Sequence, residues 1–592
     1  MKLSKIFSML LIIVLAVTCF VSAVSAAPVW QGGQSGRPGQ SQQGTIHEGD
    51  ISYKISRSGE VSITKCNVSY TGAIEIPEVI EDKPVVSIED YAFQHCVNLT
   101  GVVLPSTITQ IGYSAFYGCT ALESINIPAN VNKIEYGAFY NCKALKDADI
   151  ADLAAWCSAE LDGEYANPMH ITGELKIDGE VLTELSIPDF VTVVSDYVFY
   201  GCKGLTSVTM SSVTSIGECA FYGCEGLTEM NISAGVTEIG DGAFSACNGL
   251  KEIKVDAANT KYSNASGNLI EIETGTLIRG TDSGVIPSDG SVKRLGDYAF
   301  SGNVALTDIE IPAVVTVIGA SAFRDCPNLK SAKLPDTITV IRAGVFSGCE
   351  KLTSVNIPEK VTALGTSTFR GCKALTEIKI PAECTDIGNF VFVDCDSLTS
   401  VTIPKTVKIL GEGVFDDCSK LAEIKVENGN GRYFSNGTCL IDLDGYVLLR
   451  GGKYSVIPDW VRTIGKHSFS GCADMKVIGI PTSITSVEAN AFYGCDALQQ
   501  VYYGGDEEAF KKVRVSANND KFKSAEVVYN NDNAPVPKLP GTSDGLFGGV
   551  GIGSDGDSTS GILWIIIAAV AVVIIAVAVV VIVVLKKKKA KA

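Results

Sequence analysis

Nineteen cysteines and four histidines are the residues of this 592-residue chain whose types invite chemistry. A thiolate attacks carbonyl carbon, binds zinc or pairs as a disulfide, and an imidazole serves such reactions as base or ligand. Spacing decides among these roles. There is no Cys-x-x-Cys pair, and His47, His95, His170 and His467 are far apart in the chain. Neither a zinc cluster nor a Cys–His or Ser–His–Asp constellation follows, so no catalytic, cofactor or metal residue is assigned. Asp442-Leu443-Asp444-Gly445 begins like a calcium loop but lacks the third oxygen ligand and the distal Glu, and reads as a hairpin turn. What the cysteines do have is register. Cys96, Cys119, Cys142, Cys202, Cys224, Cys247, Cys326, Cys349, Cys372, Cys395, Cys418, Cys472 and Cys495 each follow a phenylalanine by three residues, and Asn303 takes that place after Phe300.

The phenylalanines set the frame. Phe93, Phe116 and Phe139 are spaced by 23 residues, and so are the six from Phe300 to Phe415 and the pair Phe469 and Phe492. Phe199, Phe221 and Phe244 follow at 22 and 23, completing fourteen copies that share the pattern I-G-x-x-[AV]-F-x-x-C-x-x-L-x-x-[IV]-x-[IV]-P with substitutions in most columns. A 20–30-residue period of this kind is the mark of a leucine-rich solenoid. In Leu122–Pro128 the isoleucines Ile125 and Ile127 alternate with Asn126, as in a strand with one buried face, and Pro128 ends it. Val131–Ile134 is a second extended piece on the opposite side of the coil. One such coil cannot bury its own Leu, Ile and Phe, but stacked coils bury them and pair their strands in parallel. The expected fold is therefore a β-rich leucine-rich repeat solenoid of about fourteen 23-residue repeats plus variant coils. Asn303 cannot form a disulfide, yet it can point a donor inward at a carbonyl, so the cysteine column is read as a buried ladder of free thiols. Disulfides between neighbouring coils remain the alternative, because stacking brings Cα atoms within the span they need.

The repeats resemble the BspA-type (treponemal-class) leucine-rich repeat family of bacterial and protist surface proteins. The resemblance covers roughly residues 45–530. Asp152–Pro188 looks like that family's helix-plus-hairpin coil, and Val501–Val513 like its closing segment. The 54- to 60-residue gaps after Phe139, Phe244 and Phe415 are then variant coils inside one solenoid. Members of the family are described as adhesins and host-contact proteins. The resemblance thus implies a non-enzymatic binding protein without a cofactor.

The ends of the chain frame that expectation. Residues 1–26 read as a signal peptide: Lys2 and Lys5, an apolar run from Ile6 to Val17, and small residues up to Ala26. Residues 27–44 form a Gly/Gln/Ser linker and 531–561 a flexible stalk. Residues 562–585 are uncharged and apolar, long enough as a helix (about 36 Å) to span a bilayer. The basic tail, 586–592, belongs in the cytoplasm by the positive-inside rule. The topology expected is a single pass with the bulk outside the cell. Leu539-Pro540-Gly541-Thr542-Ser543 resembles a wall-sorting signal in which Ser543 replaces Gly, a second possible route to anchoring. Seven lysines lie in the two end segments, so the ectodomain is more acidic than the whole chain's −18, which argues against nucleic acid. The outward strand column, from Asn126 and Asp149 to Thr402 and Lys425, is mixed in sign and poor in aromatics. It favours an extracellular or cell-surface protein as partner, with a glycan as the other class. The site singled out is the position after the core Phe, occupied by Tyr117, Tyr140, Tyr200 and Tyr222, which either faces a partner or clads the coil edge. The competing functions are a passive spacer or coat component and, more remotely, a surface enzyme.

Overall fold

The computed structural model describes residues 46–48 and 50–531. The signal peptide, linker, apolar run and basic tail, and the stalk from residue 532 on, lie outside the described residues. Among the described residues no helix is long and apolar enough to cross a membrane.

Each coil has two strand faces and one turn face. The strand Ser124–Ile127 buries Ile125 and Ile127 and pairs in parallel with Asp147–Ile150, one coil on. The two-residue strand Lys133–Ile134 lies between Gln110–Ile111 and Glu160–Leu161, again in parallel. Asn126, part of the outward strand column, is not free for a partner. Its Oδ1 accepts from Leu104 N at 2.7 Å and its Nδ2 donates to Leu104 O at 2.9 Å, and Asn356 holds Leu334 in the same way.

The turn face has its own ladder. In all fourteen copies the residues two before and two after the core Phe have positive φ, as in Ser114 and Gly118 around Phe116. Such a residue costs roughly 1–2 kcal/mol unless it is Gly, and somewhat less for Asn or Asp. The return is directional: N–H groups at alternate positions point along the stack. Ser114, Phe116 and Gly118 N donate to Tyr136, Ala138 and Tyr140 O of the next coil at 3.0, 2.8 and 2.8 Å. The intervening Ala115 and Tyr117 N–H groups close inside their own coil, onto Gly112 and Ser114 O.

This pattern explains the cysteine column. Phe116 O points inward and accepts from Cys119 N at 3.1 Å and from Cys142 Sγ of the next coil at 3.1 Å. Ten cysteines make this thiol-to-Phe bond, at 2.9–3.3 Å. Cys96 and Cys472 follow coils that lack the Phe and reach the carbonyls of Asn67 and Gly451 at 3.8 and 3.9 Å. Asn303, also after a variant coil, donates from Nδ2 to Thr281 O at 3.3 Å. Every described cysteine is free. Burial pushes the Cys142, Cys418 and Cys495 thiols up to about 12, so they stay protonated and keep the hydrogen they donate.

The phenyl rings stack along the interior with centroids 5.0–6.0 Å apart. Phe522, in the short closing helix Asp520–Ser524, extends the stack at 4.6 Å from Phe492. Two variant coils put glycine where the stack is interrupted. A Cβ at Gly280 would lie 1.9 Å from the Phe300 ring, and one at Gly451 2.4 Å from the Phe469 ring. The buried side chains form three successive cores whose seams fall in the hairpins of those coils, at Leu269/Ile270 and Cys439–Ile441.

Two outcomes are expected. Phe369→Ala should cost about 3–5 kcal/mol, felt locally because each coil touches only its neighbours. Hydrogen exchange should quicken in the coils around Phe346, Phe369 and Phe392; unchanged protection there would contradict the inward stack. Alkylation of the unfolded protein without reductant should modify most of the column cysteines by mass spectrometry, whereas pairing between neighbouring coils would make the solenoid disulfide-stapled.

Candidate functional site

The four tyrosines singled out from the sequence lie on the edge where the chain leaves the core Phe. Tyr117 and Tyr140 stack with centroids 5.3 Å apart and an interplanar angle of 12°, and Tyr200 and Tyr222 stack at 4.8 Å and 7°. The variant coil between the pairs does not interrupt the row. Its helix Met169–Thr172 and the 3-10 turn before it place His170 and Tyr165 edge-on in the gap, so contacts run Tyr140–Tyr165–His170–Tyr200 at 4.6, 5.3 and 4.9 Å. His95 continues the row beyond Tyr117 at 5.2 Å. Burial lowers the His170 pKa, so this imidazole packs as a neutral ring. Burial raises the phenols of Tyr165 and Tyr200, and that of Tyr222 to about 12.

A second row runs beside the first, on the other side of the Phe turn. Tyr91 meets Tyr113 at 5.4 Å and Tyr113 stacks on Tyr136 at 6.0 Å. Tyr91, Tyr113, Tyr136 and Tyr140 are 38–49% exposed, whereas Tyr117, Tyr200 and Tyr222 are half-buried. Column alignment hides this second row, because Tyr91 precedes its Phe by two residues and Tyr113 and Tyr136 precede theirs by three. A planar side chain held by ring contacts loses little entropy when a partner covers it, and interfaces are enriched in tyrosine for that reason. The face can supply apolar area with hydroxyl groups at its margin.

The two glycine-bearing variant coils are built alike. Asn259 donates to Ser233 O and Val236 O and accepts from Lys261 and Tyr262 N; Asn430 does the same with Pro404 O, Val407 O, Arg432 N and Tyr433 N. The shared signal is Asn-x-[Lys/Arg]-Tyr followed by Leu-x-Arg-Gly, at Leu277–Gly280 and Leu448–Gly451, a match overlooked when the coils are read singly. Their arginines diverge. Arg279 donates from Nε to Phe244 O and from Nη2 to Cys247 O, at 2.9 and 3.0 Å, taking the place of the missing thiol. Arg450, 5% exposed, instead donates to Ser470 O at 2.8 Å. A cavity of about 210 Å³ lies there, lined by Phe415, Asp416, Leu440, Leu449 and Arg450, with Glu412, Lys466 and Glu488 around it. Asp416 Oδ2 is 3.1 Å from His467 Nδ1. Burial is the main cause that raises the Asp416 carboxyl to about 6; Asp417 and Glu412 reinforce it, while His467 and Arg450 oppose it.

Residues 67–155, 178–277, 286–433 and 453–523 match the BspA type leucine rich repeat region, in six copies. No curated protein matches the chain. Among solved structures it is similar to a leucine rich cell surface protein from Faecalibacterium prausnitzii, at 25% identity over 80% of this chain and 98% of that one, with a TM-score of 0.36. It is similar to a leucine-rich repeat protein from Bacteroides ovatus at 27% identity, over 64% of this chain and 94% of that one, TM-score 0.32. It is also similar to the pneumococcal vaccine antigen PcpA, at 15% identity over 82% and 98%, TM-score 0.29.

The raised carboxyl at the Phe415–Phe469 junction sets a pH dependence. Its pKa in the fold, about 6, exceeds its ordinary value of 3.8, so the folded state holds the proton more tightly than the unfolded chain does. The contribution is therefore full in acid, below the ordinary value, and is lost as pH rises to about 6. Thermal melts of wild type and Asp416→Asn across that window should converge in acid, with the variant more stable at neutral pH. A variant equally or less stable at neutral pH would contradict this reading of the junction.

Proposed function

This chain belongs to the BspA-type leucine-rich repeat family, and from that membership we propose that it is a membrane-anchored cell-surface protein that binds a protein on another surface. The observation that carries the reading is the paired aromatic edge. Tyr91, Tyr113 and Tyr136 form one row, and His95, Tyr117, Tyr140, Tyr165, His170, Tyr200 and Tyr222 the other, on an acidic protein. Solenoids present extended surfaces suited to large ligands. Rings locked against one another give such a surface rigid anchors, the kind of residue that dominates binding energy at interfaces. Export and anchoring are supported by the apolar start after Lys5 and by the uncharged run Ile562–Leu585 with its lysine cluster, a topology in which the edge would face outward from the cell.

The test compares two variants of the full chain displayed on cells. One changes Tyr117, Tyr140, Tyr200 and Tyr222 to Ser; the other changes the second row, Tyr91, Tyr113 and Tyr136, to Ser. Each hot-spot ring lost costs about 2 kcal/mol or more, so adhesion to protein-coated surfaces should fall about thirtyfold or further while circular dichroism stays unchanged. Undiminished adhesion of both variants would return the edge to cladding and leave a passive spacer as the better account.

A further inference from the structure

A second aromatic cluster lies far along the solenoid from the tyrosine edge, on the variant coil that follows Phe415. Its strands Tyr433–Ser435, Leu440–Asp442 and Val447–Arg450 form an antiparallel meander, and the last pairs in parallel with Thr463–Ile464. Strand alternation decides what faces out. Tyr433 is buried, and its hydroxyl accepts from Leu410 N at 2.9 Å, where the ladder lacks its next strand. Phe434, the next residue, points the other way and is exposed. Trp460 packs edge-on against Phe434 at 5.6 Å and against Tyr446 at 6.0 Å. All three rings are 37–40% exposed, and Trp156, the other tryptophan of the described residues, is buried. Arg462 lies two residues after Trp460, with buried Val461 between them, and its guanidinium sits 5.2 Å from the centre of the Tyr446 ring. Among the described residues no carboxylate is within salt-bridge distance of Arg462, whereas Arg432 is held by Asp442 at 3.2 Å.

The coil does not need these rings to fold. Its twin after Phe244 keeps the same scaffold: Asn259, Tyr262, Arg279 and Gly280 stand where this coil has Asn430, Tyr433, Arg450 and Gly451. Even the ion pair recurs, as Lys261 with Glu271 at 3.1 Å. Yet Phe434 corresponds to Ser263, Tyr446 to Gly275, and Trp460 to the ringless loop Ser288–Ser291. Three exposed rings have therefore been added to a frame that stands without them, around a cation position that the twin fills with Lys293.

We propose that Phe434, Tyr446, Trp460 and Arg462 form a subsite for a carboxylated pyranose, a uronic or nonulosonic acid unit of a glycan. The apolar C–H face of the sugar lies on the Trp460 indole, and its carboxylate pairs with the Arg462 guanidinium, whose planar donors fit two oxygens at once. Asp444 and Asp459, neighbours of Tyr446 and Trp460 in the chain, supply acceptors for sugar hydroxyls. The size of the patch favours a sugar over a protein, because three rings and one cation cover far less than the ~800 Å² per partner that a stable protein interface buries. The subsite does not rest on the tyrosine edge, and either holds if the other fails.

The full chain, in detergent micelles, is titrated calorimetrically with a glucuronic-acid oligosaccharide, with sialyllactose and with a neutral gluco-oligosaccharide. Binding of at least one acidic sugar is expected, at least tenfold tighter than the neutral one, and which acidic arm binds separates uronic from nonulosonic acids. Trp460→Ala and Arg462→Gln should each weaken it tenfold or more with circular dichroism unchanged, and Tyr140→Ser should leave it intact. No binding of either acidic sugar at millimolar concentration, equal binding of the neutral sugar, or full binding by either site variant would overturn the proposal.

Discussion

Inside each coil the carbonyl of the core phenylalanine turns toward a dry interior with two lone pairs to satisfy. One goes to the Cys N–H of the same coil, and nothing else in that coil can reach the other. A buried acceptor left half-used costs stability, and a side chain large enough to hydrogen-bond from afar would displace the phenyl stack. A thiol one coil on meets both limits: it is small, it prefers burial, and it donates without carrying charge. The left-handed residues on either side of the Phe follow from the same geometry. They turn the N–H groups at alternate positions along the stack, which leaves the Phe carbonyl pointing in. The period, the ring stack and the cysteine column are thus one arrangement seen at three places.

Where a coil departs from that arrangement, other side chains satisfy backbone groups left open in the interior. Arg279 reaches Phe244 O where no thiol follows, and Asn303 donates to Thr281 O where no Phe precedes it. Trp156 donates its indole N–H to Val198 O at 2.7 Å across the first variant coil. Asn519 does the same at the closing end, accepting from Phe492 N and donating to Glu488 O. The junction after Phe415 is the exception. There Arg450 turns to Ser470 O, a raised carboxyl lies against His467, and a cavity remains. The same coil carries the unpaired Arg462 and the exposed rings, so this irregular junction also bears surface chemistry of its own.

The fold was legible in the sequence because the forces that hold it recur at a fixed interval. Phe, Cys, Ile and Pro each keep their column, and a single coil suffices to read the inward face. Tyr117, Tyr140, Tyr200 and Tyr222 were legible for the same reason. What escaped was whatever left the period. Tyr165 and His170 complete the aromatic row from a helical detour, and Phe522 closes the stack from a helix 30 residues after Phe492. Asn126 and Asn356 looked like free surface because alternation says which way a side chain points but not what it meets. Trp460 and Phe434 meet only through the meander, and no spacing foretells that contact.

The central claim is that the column thiols are hydrogen-bond donors to the phenylalanine carbonyls, and the S–H stretch in a Raman spectrum of the native protein tests it most directly. The account predicts a strong band shifted to lower frequency than the thiols of the same chain unfolded in denaturant. An unshifted band would mean thiols that donate to nothing, and a missing band with an S–S stretch in its place would mean a solenoid held by disulfides; either result contradicts the account.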